Sequence, residues 1–153
     1  MNKLSFSVET IFNHFIKPKI KEFQRSKKIN LKNIIINNRV KGHELETPGC
    51  YVIYEYGKTR PIYIGSAGKG KHYLKYRIGD LFSYSQKSKD PFYHTLTKKL
   101  IMPNKIGRYK DIEELQEFYK EKCYLKIIET KTVREARILE DILIEILKPQ
   151  YND

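Results

Sequence analysis

Residues 48–65 constrain the fold more than any other stretch of the chain. Cys50-Tyr51-Val52-Ile53-Tyr54 and Pro61-Ile62-Tyr63-Ile64 are short β-prone runs separated by a turn at Gly57-Lys58-Thr59. Two strands joined this closely pair antiparallel, because a parallel partner requires a crossover of a dozen or more residues. Any sheet in this chain is therefore built outward from a hairpin.

Helical patterns surround the hairpin. Val8, Ile11, Phe12, Phe15 and Ile16 recur at helical spacing over 7–17; Pro18 ends or kinks that helix, and Ile20 and Phe23 extend its stripe. Leu31 to Ile36 is too short to assign. Beyond the hairpin, helices are expected over about 73–84, from Pro91 to about Ile101, and from Asp111 to about Lys120. A third strand is expected over Cys123–Ile128 and a last helix to about Leu147, stopped by Pro149. Asp111 with Glu114, and Thr132 with Glu135, are capping-box starts. The expected class is α+β: a small three-stranded, largely antiparallel sheet flanked by helices. Residues 1–47 form an N-terminal helical extension, packed on the core or used in dimer or DNA contact. Residues 48–153 form the main domain, with a basic insertion over about 82–121.

The chain has 153 residues, 40% of them hydrophobic, which suits one domain with an ordinary core. No apolar run approaches the roughly 18 residues of a membrane span, and Glu9, His14 and Lys17 interrupt the stretch a signal peptide needs. Cys50 and Cys123 form no Cys-x-x-Cys pair, so buried thiols in a reducing, cytoplasmic setting are expected.

Charge narrows the class further. The net charge is +12, and the excess is uneven: residues 49–110 hold thirteen basic residues against three acidic, while 111–153 hold seven against eleven. Lys and Arg interleaved with 12 Tyr and 7 Phe suit a polyanion, since the cations release counterions from phosphates and the rings stack on bases. A nucleic acid is the expected partner, and a solvated surface of a lysine-rich chain is the bland alternative.

Gly65-Ser66-Ala67-Gly68-Lys69-Gly70-Lys71 fits G-x-x-x-x-G-K between a strand and a helix. The next residue is His72, however, where a nucleotide loop needs a Ser or Thr hydroxyl, and the strand belongs to a hairpin rather than a parallel unit. No nucleotide cofactor is expected. Lys69 and Lys71 remain candidates for a backbone phosphate.

Taken in order, Gly49-Cys50-Tyr51, Tyr63-Ile64-Gly65, Arg77, Glu140 and Asn152 resemble the GIY-YIG nuclease superfamily over roughly residues 48–153. Cys50 replaces the middle Ile of the first triplet. Glu140 and Asn152 have the twelve-residue spacing of the repair members. Independently, Glu140 lies at the edge of the stripe made by Leu139, Leu143 and Ile146, where a carboxylate needs a cation or a metal.

The resemblance implies a metal-dependent DNA endonuclease, a hydrolase of phosphodiester bonds. Mg²⁺ or Mn²⁺ would sit on Glu140, Arg77 would meet the scissile phosphate, and Tyr51 or Tyr63 would take the proton from the attacking water. Free tyrosine is about one part in a thousand ionised at pH 7, so nearby cations must lower that pKa. Many members carry a His or Tyr four residues after the arginine. Here that position is Leu81, leaving Tyr84 or His94 as accessory candidates, with His94 also suited to capping or lining a helix. Lys87, Lys89, Lys98, Lys99, Lys105 and Arg108 are candidate phosphate contacts. Gly65 and Asn152 read as structural, Asn152 pinning the C-terminal tail. His14, His43, His72 and His94 have no zinc-ligand spacing with either Cys.

One such centre cuts one strand, so a double-strand cut needs a homodimer or two nicks. Restriction, homing, recombination and repair all remain open. A restriction-type or stand-alone nuclease suits the size, and a non-catalytic DNA-binding module on the same scaffold is the rival.

Overall fold

The structure is a computed structural model that describes residues 7–37, 39–41, 45–67, 73–85, 87, 93–101 and 108–152. The chain enters through helix α1 (Val8–Ile11), a π-helical turn over Phe12–Ile16 and helix α2 (Lys17–Arg25). Pro18, in the first turn of α2, has no N–H to give. The preceding Lys17 amide bonds to the Phe12 carbonyl, so the helix widens at the proline rather than ending there. The expected stripe is only half used: Val8, Ile11 and Phe12 are exposed, and Phe23 is buried. The π turn shifts the helical phase between the two sets.

Strand β1 (Ile29–Asn30), the single turn α3 (Leu31–Ile34) and the ribbon β2 (Ile35–Ile36) with β3 (Arg39–Val40) follow. The hairpin is β4 (Gly49–Glu55) with β5 (Tyr63–Ser66). Helix α4 (Leu74–Gly79) passes into a 3-10 turn over Asp80–Phe82, shorter than the expected 73–84. Helices α5 (Thr95–Ile101) and α6 (Ile112–Lys122), strand β6 (Cys123–Glu129) and helix α7 (Val133–Leu147) complete the chain. The Asp111 carboxylate accepts from the Glu114 amide at 2.9 Å, and the Thr132 hydroxyl from the Glu135 amide at 3.1 Å. Both capping starts are formed.

The main sheet has the order β1-β6-β4-β5, with every pair antiparallel. The short edge strand β1 adds a fourth to the three expected. It brings part of the 1–47 stretch into the sheet, and Leu31, Ile34 and Ile35 join the main core.

Helices cover both faces of the sheet. Tyr51, Ile53, Tyr63 and Leu125 face a cluster that includes Leu74, Ile78, Phe82, Leu96 and Leu115. Cys50, Val52, Tyr54, Ile64 and Ile128 face Phe23 of α2 and Ala136, Leu139 and Leu143 of α7. Strand β4 is buried on both sides, which is why its sequence reads as a continuous apolar run. Each fully buried Leu or Ile in these layers contributes roughly 1.5–3 kcal/mol by leaving water. Both cysteines are buried and unbridged.

Strand β5 would be a bare edge, and the C-terminal tail covers it. The Gln150 and Tyr151 amides donate to the Pro61 and Ile62 carbonyls, each at 3.0 Å. The Asn152 side chain then accepts from the Ile64 amide at 2.8 Å and donates to its carbonyl at 2.7 Å, in the manner of one more strand residue. No helix among the described residues is long and apolar enough to cross a membrane.

Candidate active site

Register brings the two motif tyrosines together. Tyr51 lies opposite Gly65 and Ile53 opposite Tyr63, so all four share one face of the sheet. The two phenol rings lie 6.4 Å apart between centroids. Gly65 is required by this approach, because a Cβ there would collide with the Tyr51 hydroxyl and stand 2.5 Å from Cζ. Gly49 is equally constrained: its Cβ would run into the Ile128 carbonyl and lie 2.9 Å from Leu74 Cδ1. Both motif glycines thus answer to close packing.

His94 completes a cluster of three rings. Its Nε2 lies 2.6 Å from the Tyr51 hydroxyl, and its ring meets Tyr63 edge-on at 5.2 Å. Burial, with the Arg77 charge nearby, holds the imidazole pKa down to about 3, so the ring is neutral. Its Nδ1 accepts from the Leu96 amide at 3.1 Å, which leaves the single ring proton on Nε2. His94 therefore donates to Tyr51 and cannot accept that phenol's proton in this tautomer. It caps the start of α5 and hydrogen-bonds Tyr51 at once.

Arg77, on α4, is the charge that the other groups feel. Burial raises the pKa of Tyr51, Tyr63 and Glu140, and the Arg77 charge acts against each of those shifts. Its own partner is Asp80, at 3.3 Å, whose side chain is almost entirely buried. Glu140 comes from α7 on the opposite side of the sheet and accepts a short hydrogen bond from the Ser66 hydroxyl at the end of β5. Burial raises its pKa, with Ser66 acting against that shift. The groups meet around β5, with the tyrosines on one face and the carboxylate on the other.

Proton abstraction by a tyrosine calls for a lowered phenol pKa, whereas burial raises Tyr51 well above its ordinary value and raises Tyr63 as well, with Arg77 only partly compensating. Lys69 and Lys71, the other expected cations, lie outside the described residues, as do Lys89, Lys105, His43, His72 and Pro91.

The remaining candidates are not drawn into the ring cluster. Tyr84 stands exposed after the 3-10 turn. Lys99, expected as a phosphate contact, instead donates to the Tyr151 carbonyl at 3.0 Å and so fastens the tail. Lys98 is half-buried on α5. Sequence reasoning missed Asp80, Ser66 and Thr95, whose side chain hydrogen-bonds Tyr63. Asp80 carried a signal, since it follows Arg77 at helical i,i+3 spacing. Ser66 carried a weaker one, since alternation along β5 turns it toward the face opposite Gly65.

Among the described residues no three or more His, Cys, Asp or Glu side chains cluster as a metal cage. One carboxylate, with water and substrate phosphate as the other ligands, is a donor set that suits Mg²⁺ and not structural zinc. Glu140 with its neighbouring hydroxyl fits that set.

Neither a family profile nor a curated protein sequence matches the chain. Among solved structures, the chain is similar to the GIY-YIG N-terminal endonuclease domain of UvrC from Thermotoga maritima, a structure with its catalytic magnesium bound. Identity is 26%, over 71% of this chain and 85% of that one, with a TM-score of 0.40. Two point mutants of the same domain, each bound to its catalytic divalent cation, match at 25% and 24% identity. Both cover 71% of this chain and 84% of theirs, with TM-scores of 0.41.

Proposed function

We propose that the protein is a divalent-metal-dependent DNA endonuclease of the GIY-YIG type, acting alone or as a restriction-type enzyme. The observation that carries this reading is the electrostatic grouping of Arg77 with Tyr51, Tyr63 and Glu140, drawn from four separate elements. A half-buried carboxylate, an arginine paired to a buried aspartate and two buried phenols grouped around β5 are costly for stability alone, and phosphodiester chemistry uses each of them.

Arg77 binds the scissile phosphate through its planar fork and neutralises charge as the transition state forms. Asp80 holds that fork in place. Glu140 would hold Mg²⁺ or Mn²⁺, which when bound supplies Lewis-acid polarisation of a phosphate oxygen and a positive charge that favours phenolate. Tyr63 is the proton acceptor we favour. It is slightly exposed where Tyr51 is not, and although burial raises its pKa, Arg77 and a hydrogen bond from Thr95 act against that rise. Tyr51 is the positioning ring, its hydroxyl hydrogen-bonded by His94 and its outer end packed on Gly65.

Supercoiled plasmid incubated with Mg²⁺, Mn²⁺ or EDTA tests the reading. Cutting or nicking is expected with metal and none with EDTA. Glu140→Ala and Arg77→Ala should each lose roughly 10²–10⁴-fold in rate while still binding DNA. Salt-sensitive binding without cleavage in any metal would overturn the nuclease and favour a binding module on this scaffold.

A further inference from the structure

Tyr73 and Tyr76 form an exposed aromatic stack beside the site. Their rings lie 6.1 Å apart at 21° to one another, and they are 40% and 50% exposed. Tyrosine rings left this open usually pack on something, because each carries a large apolar area. A cleft of about 350 Å³ opens next to Tyr76, bounded by Arg39, Lys75, Asp80 and Ser83. Its volume falls in the range of small-ligand pockets. Its walls supply a π face, a guanidinium, an ammonium, a carboxylate and a hydroxyl, so they can stack a flat ring and both donate to and accept from its edge.

Charge selects among flat ligands. Lys75 lies 5.0 Å from the Tyr76 ring centre and is ion-paired to Glu46, which fixes it over the platform. Arg39 is exposed on the far wall. Asp80 connects the cleft to the candidate centre, since the residue that lines the cleft with Tyr76 is also the ion-pair partner of Arg77. A ligand with one group on Arg77 and a flat ring on Tyr76 spans adjacent positions of a single helix.

We propose that this cleft receives one unpaired nucleobase of the DNA, stacked on the Tyr76 ring that lines it, with Tyr73 packed against that ring, while the neighbouring backbone runs to Arg77. The proposal rests on the nuclease reading and adds to it a preference for substrate with an unpaired or extruded base near the cut. Extrusion is least costly where a base is already unpaired, so a bulged or single-stranded site binds ahead of a continuous duplex.

The test uses the full chain with a short duplex carrying a single bulged 2-aminopurine, against the same duplex fully paired. Wild type should bind the bulged duplex more tightly and quench the 2-aminopurine fluorescence as the base stacks. Tyr76→Leu should weaken bulge binding by about 5- to 100-fold and abolish the quenching, whereas Tyr76→Phe, which keeps the ring, should retain both. Tyr73→Leu should give a smaller loss in the same direction. Because both rings are exposed, thermal melting of the leucine variants should match wild type, and Arg39→Ala provides a second variant on the opposite wall. Equal binding of bulged and paired duplex, or a Phe variant as impaired as the Leu variant, would overturn the base site. Metal-dependent cleavage persisting in that case would leave the nuclease reading standing. Failure of wild type to bind either duplex would overturn both.

Discussion

The hydroxyl end of the Tyr51 ring lies against Gly65 on the neighbouring strand, so close that no side chain larger than hydrogen fits there. This contact ties the spacing of the two triplets to the hairpin register, since slipping β5 by one residue would put Ile64 or Ser66 under the ring. Gly65→Ala should therefore destabilise the protein by about 1–3 kcal/mol or more, through overpacking rather than lost flexibility. Urea melts of Gly65→Ala, Tyr51→Leu and the double variant check it. The double variant should be clearly more stable than the sum of the single losses implies, and strict additivity would contradict the contact.

His94 and Tyr51 test a proton inventory. With Nδ1 taken by the Leu96 amide, the Nε2 proton has the Tyr51 oxygen as its acceptor. Tyr51→Phe leaves that donor buried without an acceptor, at a cost of about 1–3 kcal/mol. Nitrogen NMR of wild type should show His94 as the neutral tautomer protonated on Nε2. A protonated Nδ1 would remove the basis for treating His94 as the donor.

The pH dependence of stability has a defined sign. An unfolded histidine takes up its proton near pH 6.5, and the folded His94 resists until about 3. Between those values the unfolded chain binds more protons, so stability falls as pH drops, with a slope of at most about 1.4 kcal/mol per pH unit from this group. Glu140 works the other way. Its raised pKa means the folded state holds its proton more tightly, so stability is gained as pH falls toward the carboxylate range and lost as pH rises through the folded pKa. Comparing wild type with His94→Gln separates the two, since Glu140 is common to both. The variant should lose less stability over the window, and parallel curves would show that His94 is not held neutral.

The hairpin, the third strand, α6, α7 and their capping starts were all readable, because each rests on local signals: β-branched runs, turn residues, and Asp or Thr followed by Glu three positions on. What the sequence withheld was non-local. Strand β1 is two residues long and exists only because β6 offers an edge to pair with Ile29 and Asn30. The convergence of Tyr51 and Tyr63 depended on register, and that of His94 with them on the path from α4 to α5. The burial that raises both phenols comes from elements distant in the chain, so it too had no local signal. Asp80 and Ser66 had spacing signals too weak to separate from ordinary surface residues.

Asn152 gives the last test. Its amide makes two hydrogen bonds to the backbone of Ile64, one in each direction, and so extends the tail's coverage of β5 to the residue beside Gly65. Asn152→Ala removes both and frees one donor and one acceptor on an otherwise paired edge, which should cost about 1–3 kcal/mol. Asn152→Asp keeps the acceptor but, once ionised, sets a carboxylate oxygen against the Ile64 carbonyl, so its loss should be smallest below the carboxylate range, where the protonated group can still donate to that carbonyl. Amide exchange of Ile64 distinguishes a structural role from a chemical one. Faster exchange in both variants, with cleavage reduced in proportion to the edge opening, is the expected result. Unchanged exchange alongside abolished cleavage would show that the amide acts on substrate rather than on the strand.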